Sequence, residues 1–235
     1  MRVVVTRPEA DARRTATALR AKGHEVLVAP LMKVESVAAD LSGNWGAVII
    51  TSANAPIAVA DNPARDALRK LPLVAVGKRS AEAAHEAGFT DVTSAGGDVQ
   101  DLVRTLVQKR ADAKAPLLYL AGEDRAADLV GELSAHGIAA EIRVVYRAVT
   151  APFPPELVEA LKAGEVDAVL HFSRRSAENY VTGAGLAGVT GPALATRHFC
   201  LSAQVAAPLA GVRDIAIARH PDEHTLIELV QASQP

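Results

Sequence analysis

The chain has 235 residues, 49% hydrophobic and 3% aromatic, with a formal net charge of −2 and a single cysteine. That length holds one large domain or two modest ones. The near-neutral balance argues against bulk nucleic-acid binding or a basic membrane footprint, and the lone Cys200 excludes an internal disulfide, which fits a reducing compartment.

Short β-branched runs alternate with helical patterns from the first residues onward, the mark of parallel sheets covered by helices. Strands are predicted near 2–6, 25–29, 47–51, 73–76, 90–93, 117–120, 138–142, 167–172, 198–201 and 214–218. The opening strand shows no signal-peptide layout and no apolar run approaches a membrane span, so a cytoplasmic location is expected. The segments 31–37 and 144–150 are also extended and β-prone. The clearest helix is predicted from Asp98 to Arg110, where Val99, Leu102, Val103, Leu106 and Val107 share one face. Asp98 is its expected cap, and Lys109 and Arg110 complement the dipole at its end. Cys200, inside the apolar run 198–201, reads as a small buried hydrophobe.

The chain repeats itself. The stretch from Arg2 aligns with that from Pro116 at an offset of 114, matching Leu19 to Leu133 and Gly23 to Gly137. Further on, Ser52 matches Ser173 at an offset of 121, and the run from Leu73 matches the run from His198 at 125. Two α/β units of similar plan follow, each with about five strands. One cut would fall at Lys114-Ala115-Pro116. The alternative is a two-stranded hinge through 31–37 and 144–150, and periodicity does not choose between them.

Gly183-Ala184-Gly185-Leu186-Ala187-Gly188 has the G-x-G-x-x-G spacing of a dinucleotide site, but that site needs a preceding strand and a helix opening on it. Here a predicted helix (176–182) comes first, so a loop is expected. The string His220-Pro221-Asp222-Glu223-His224 brings two histidines and two acids together. Pro221 breaks any shared helix face, so capping of the last helix is expected in place of a metal site.

Two buried strands end in a serine before a helix start, at Thr51-Ser52-Ala53-Asn54 and at Phe172-Ser173-Arg174. Neither has the glycines of a nucleophile elbow. Each serine can cap its helix, and the first amides of that helix can hold an anion. Other strand ends, at Thr6-Arg7, Gly77, Ala121-Gly122 and Ser202, belong to the same carboxyl edges, where open α/β sheets bind ligands. Arg7, Lys78, Arg79, Arg125, Arg147, Arg174 and Arg175 follow these edges or flank the hinge. Cations so placed suit an anionic small molecule held between two lobes, although any one of them reads equally well as a solvated arginine.

In combination these residues resemble the uroporphyrinogen-III synthase family. The resemblance runs the whole length: Val5-Thr6-Arg7-Pro8, Thr51-Ser52-Ala53-Asn54, Val76-Gly77-Lys78-Arg79-Ser80-Ala81, Val145-Tyr146 and Phe172-Ser173. Each motif is short, and their order together with the duplication carries the specificity. The resemblance implies two similar lobes, each a parallel sheet of about five strands flanked by helices, joined by a two-stranded β linker. It divides the chain into 1–33 plus 150–235 and an inserted 37–145, with linkers near 34–36 and 146–149. It also implies cyclisation of the linear tetrapyrrole hydroxymethylbilane with inversion of ring D through a spiro intermediate. No cofactor or metal, no nucleic-acid or membrane partner, and a monomeric state are expected.

Tyr146 matches the family's linker tyrosine and is the expected aid to hydroxyl departure, since an ordinary phenol titrates near ~10 and is protonated at neutral pH. A hinge-anchoring hydrogen bond is its alternative role. Substrate contacts are expected from Thr6, Arg7, Ser52, Asn54, Gly77, Ser80, Gly122, Arg125, Ser173, Arg174 and Ser202. Ser202 stands where the family usually keeps glycine, and Val205 where a hydroxyl residue is common. A two-lobed anion-binding or regulatory relative without catalysis is the competing expectation.

Overall fold

The structure, a computed structural model, describes residues 1–109, 115–125 and 127–233. In chain order it forms β1 (Arg2–Val5), α1 (Glu9–Arg20), β2 (Glu25–Val28), β3 (Met32–Ser36), β4 (Ala47–Ile50), α2 (Asn54–Ala58) and α3 (Arg65–Leu68). These are followed by β5 (Leu73–Ala75), α4 (Lys78–Glu86), β6 (Val92–Ser94), α5 (Val99–Lys109), β7 (Leu117–Gly122) and α6 (Leu129–Ala135). Then come β8 (Ala140–Thr150), α7 (Pro155–Lys162), β9 (Ala168–His171), α8 (Arg174–Leu186) and α9 (Thr190–Ala195). The chain closes with β10 (Arg197–Cys200), α10 (Ala203–Ala206), β11 (Ile215–Ile217) and α11 (Glu223–Ala232). It divides into two compact units, one of Met1–Lys33 with Val149–Pro235 and one of Val34–Ala148.

The first unit is built on a five-stranded sheet in the order β11-β10-β9-β1-β2, parallel throughout. Numbered within the unit, that is 2-1-3-4-5, a doubly wound order whose direction reverses between β1 and β9. Both faces are covered, which fits the continuous apolar runs Val3–Val5 in β1 and Ala168–Leu170 in β9. Val3, Val5, Leu170 and Phe199 pack with α1 and α11, and Val4, Val169 and Tyr180 pack on the opposite face. Helix α1 earns its place by burying Ala12, Thr15, Ala16 and Leu19, an i, i+3, i+4, i+7 stripe.

The second unit carries a six-stranded sheet in the order β3-β8-β7-β4-β5-β6. Leaving out β3, its order becomes 2-1-3-4-5 once β7 and β8 are counted first, so the reversal falls between β7 and β4. Val48, Ile50, Leu118 and Leu120 fill one core layer, and Ile49, Tyr119, Ala121 and Leu133 the other.

Several expectations change. The second sheet is neither purely parallel nor five-stranded. The extended segments predicted at 138–142 and 144–150 are one strand, β8, whose far edge pairs with β3. The bonds Val37 N–H to Val145 O (2.7 Å) and Ala151 N–H to Leu31 O (3.0 Å) run in opposite sequence senses, making that pair antiparallel. The strand predicted at 90–93 is Val92–Ser94. Helix α5 ends at Lys109 within the described residues, with Asp98 accepting from Asp101 N–H at 2.7 Å as its predicted cap; Arg110 and Lys114 lie outside them. The glycine string is not a loop: Gly183 and Gly185 lie inside α8, and only Gly188, at φ +69°, leaves it. A Cβ at Gly183 would strike the Phe153 ring, so glycine lets α8 run close to that side chain. The His220–His224 string does cap the last helix, through Asp222 Oδ1 accepting from Thr225 N–H at 2.8 Å.

Candidate functional site

Open α/β sheets bind ligands where the strand order reverses, at the carboxyl ends of the strands. In the first unit that place is the corner after β1 and β9. Thr6, fully buried, donates its hydroxyl to Leu170 O at 2.9 Å and so ties the two strands together at their ends. Ser173 is the N-cap of α8: its hydroxyl accepts from Ser176 N–H at 3.1 Å and meets Ser176 Oγ at 2.9 Å. Ser202 repeats the device on α10, accepting from Val205 N–H at 3.4 Å, while Val205 is buried with Cys200 and Leu209. Arg174 is exposed and paired with Glu178 at 2.9 Å within its own helix.

Arg7 is held from several sides. Its guanidinium lies 4.3 Å over the Phe172 ring, one nitrogen 3.2 Å from Glu223 and another 3.6 Å from Asp11. Glu223 also accepts from Arg14 at 3.0 Å and from the Thr15 hydroxyl at 2.5 Å. Burial alone would raise the Glu223 carboxyl, but the Thr15 hydroxyl and the Arg14 and Arg7 charges bring it below its ordinary value.

In the second unit the corner after β4 and β7 is tied in a similar way. The Thr51 hydroxyl and the Tyr119 phenol are hydrogen-bonded at 2.8 Å across the two strands. Tyr119 is buried, and burial, opposed by its bond to Thr51 and reinforced by the neighbouring Tyr146 phenol, raises its titration above the ordinary tyrosine range. Tyr146 projects from β8 over Gly122. A Cβ at that glycine would sit 2.6–2.8 Å from the ring and its hydroxyl, so only glycine admits the phenol there. The backbone cooperates: the ladder between β7 and β8 shifts register at Ala121/Gly122, and Glu123 N–H donates to Tyr146 O at 2.9 Å. Arg125 folds back to donate to Gly122 O and Glu123 O, both at 3.0 Å, bracing the turn that carries the glycine.

The other expected residues of this unit are more dispersed. Gly77, extended at φ −159°, is the N-cap of α4, and Ser80 is buried in that helix's first turn. Ser52 is not the cap expected of it. The helix begins at Asn54 behind Ala53, and the Ser52 hydroxyl accepts from Asn54 N–H at 3.2 Å, two residues on, as in a serine turn. Tyr119, Ser176 and Glu223 join these corners without having been expected. Tyr119 reads in sequence as one more core position of a strand, and Glu223 lies more than two hundred residues from Arg7, beyond any local signal.

Two doubly wound units, each with hydroxyls and helix starts gathered where its strand order reverses, define an α/β protein of the strand-end ligand-binding class. A family profile described as uroporphyrinogen-III synthase HemD matches residues 13–228. The chain belongs to the uroporphyrinogen-III synthase family, whose enzymes cyclise hydroxymethylbilane in a lyase-class reaction. Among solved structures, the uroporphyrinogen-III synthetase of Helicobacter pylori is similar at 18% identity over 100% of both chains, with a TM-score of 0.66. A mutant synthase of Thermus thermophilus is 18% identical over 99% of this chain and 98% of its own, with a TM-score of 0.49. No curated protein sequence matches the chain.

Proposed function

We propose that the protein converts hydroxymethylbilane to uroporphyrinogen III, with its two units acting as lobes joined at 34–36 and 146–149. The observation that carries this reading is the family match over 13–228. In the reaction the terminal C–O bond breaks and the oxygen leaves as water, driven by electrons from the adjoining pyrrole. The resulting azafulvene is attacked by the substituted carbon of ring D. The spiro intermediate then fragments and recloses with ring D inverted.

The protein has two tasks: to hand a proton to the leaving oxygen and to hold a flexible, carboxylate-rich chain so that the crowded carbon attacks. Tyr146 is the proposed proton donor, and its placement against Gly122 supports this by fixing the ring beside a strand end. The holding task is one of orientation. It is assigned to the helix starts after Ser52, Gly77, Ser173 and Ser202, to the Thr6, Asn54, Ser80 and Gly122 corners, and to Arg7, Arg125 and Arg174 as carboxylate partners. No helix among the described residues is long and apolar enough to cross a membrane. The proposed setting is a cytoplasmic monomer acting on a small molecule, without a nucleic-acid partner.

The test is to supply enzymatically generated hydroxymethylbilane and resolve the uroporphyrin isomers after oxidation. Isomer III in proportion to protein is expected. Isomer I alone, as from spontaneous closure, would overturn the assignment.

A further inference from the structure

Arg7 is the expected substrate contact with the most elaborate surroundings. Its side chain is only 16% exposed, and Glu223 reaches it from the far end of the sequence. One terminal nitrogen donates to the Thr15 hydroxyl at 3.3 Å and lies 3.2 Å from Glu223 Oε2. Thr15 has one proton to give; Glu223 Oε1 at 2.5 Å competes for it with Asp11 O at 3.0 Å and lies closer, which leaves the hydroxyl oxygen to accept from Arg7. The other carboxylate oxygen is shared between Arg7 and Arg14. With its Cζ 4.3 Å from the centre of the Phe172 ring, Arg7 is held both by that contact and by its polar partners.

The contacts occupy one side of the fork. The second terminal nitrogen has only the 3.6 Å approach of Asp11, and no partner for Nε is found among the described residues. An arginine pairs with a carboxylate most effectively through two parallel N–H groups such as these.

We infer that Glu223 is a positioning residue, which with Thr15 holds Arg7 over Phe172 so that its Nε edge is offered to a carboxylate of the substrate. Glu223 does not touch substrate; it acts through Arg7. The inference rests on the proposed function, and specifically on Arg7 as a substrate contact.

The experiment measures KM and kcat for isomer III formation in Glu223→Gln, Arg7→Ala and the double variant. Glu223→Gln keeps the shape but removes the charge that orients Arg7. It is expected to raise KM about tenfold, the loss of one charge-assisted contact, with kcat within about twofold. The double variant is expected to match Arg7→Ala, because Glu223 has nothing left to orient. A folded Glu223→Gln protein with unchanged KM, or effects that multiply in the double variant, would overturn the inference while leaving the synthase assignment intact. Unchanged KM in Arg7→Ala would instead remove Arg7 from the site and the inference with it. Should Glu223→Gln fail to fold, Glu223→Asp keeps the charge on a shorter arm; a KM raised about threefold is expected, and an unchanged one counts against the role.

Discussion

At the scale of single residues, the second unit's corner depends on an absence. Gly122 has no side chain, and the Tyr146 ring uses that space. Adding one methyl by Gly122→Ala forces either the ring or the strand to move. Overpacking of this kind costs about 1–3 kcal/mol in stability. The effect on chemistry is expected to be of similar size in free energy, because a displacement near 1 Å of a reacting group can cost about 10²-fold, roughly 2.7 kcal/mol. Gly122→Ala should therefore lower kcat about 10²-fold in a protein that still folds, with a lowered denaturation midpoint. Tyr146→Phe keeps the ring and removes only the proton, so kcat is expected to fall about 10²-fold with KM little changed. Combining the two substitutions should do little more than Tyr146→Phe, and steady-state kinetics on the three variants checks both statements. Turnover unchanged in Tyr146→Phe would return the tyrosine to a hinge-anchoring role.

At the scale of elements, the two serine corners are less alike than their sequences. Ser173 caps a thirteen-residue helix through the amide three positions on, whereas Ser52 accepts from the amide two positions on, before a five-residue helix. Loss of a true N-cap costs about 1 kcal/mol. Ser173→Ala is expected to destabilise by about that amount in a urea titration, and Ser52→Ala by clearly less. The sequence makes the strands, the long helices and the repeat legible because each rests on local periodicity: apolar runs, an i, i+3, i+4 stripe, a serine or aspartate before a helix. It does not separate the two serine conformations, since Ala53 and Asn54 suit a turn as well as a helix start. Nor does it reveal that β8 is one long strand, because Val144–Thr150 and 138–142 each look complete alone. The links Thr51–Tyr119 and Arg7–Glu223 were hidden for another reason: they join residues 68 and 216 positions apart, and only strand order and packing bring them together.

At the scale of the whole molecule, both units use the same strand order, but one is permuted relative to the other because the chain leaves the first after β2 and returns at its end. The equivalence is not carried into their cores. The first unit buries three histidines, His24, His171 and His198, whereas His85 and His136 of the second are exposed. His171 and His198 stack on adjacent strands with 5.2 Å between ring centres and share a 2.9 Å hydrogen bond. His198 Nε2 lies 3.1 Å from Ala193 O, which fits a neutral ring donating there and accepting from His171. His171 Nδ1 is then left buried and without a hydrogen-bond partner among the described residues, so a proton on it would have no counter-charge there. Burial lowers the titration of all three: for His171 the His198 ring adds to it, for His198 the bond to Ala193 O opposes it, and for His24 the bond to Gln231 does. A histidine whose folded value is depressed binds its proton more readily when unfolded. Its stabilising effect is therefore complete above the unfolded value near ~6.5 and is lost as pH falls below it. Each such proton contributes a slope of about 1.4 kcal/mol per pH unit between the two values. On acidification from pH 7 to 5, amide protection factors, referenced to the intrinsic exchange rate at each pH, are expected to fall in β9 and β10 before they do in β4 and β5, while urea midpoints fall. Substituting His171 by Phe, which removes the unpaired nitrogen, should flatten that pH slope by close to one proton. Equal protection of the two sheets down to pH 5 would mean that the buried pair does not govern the acid response.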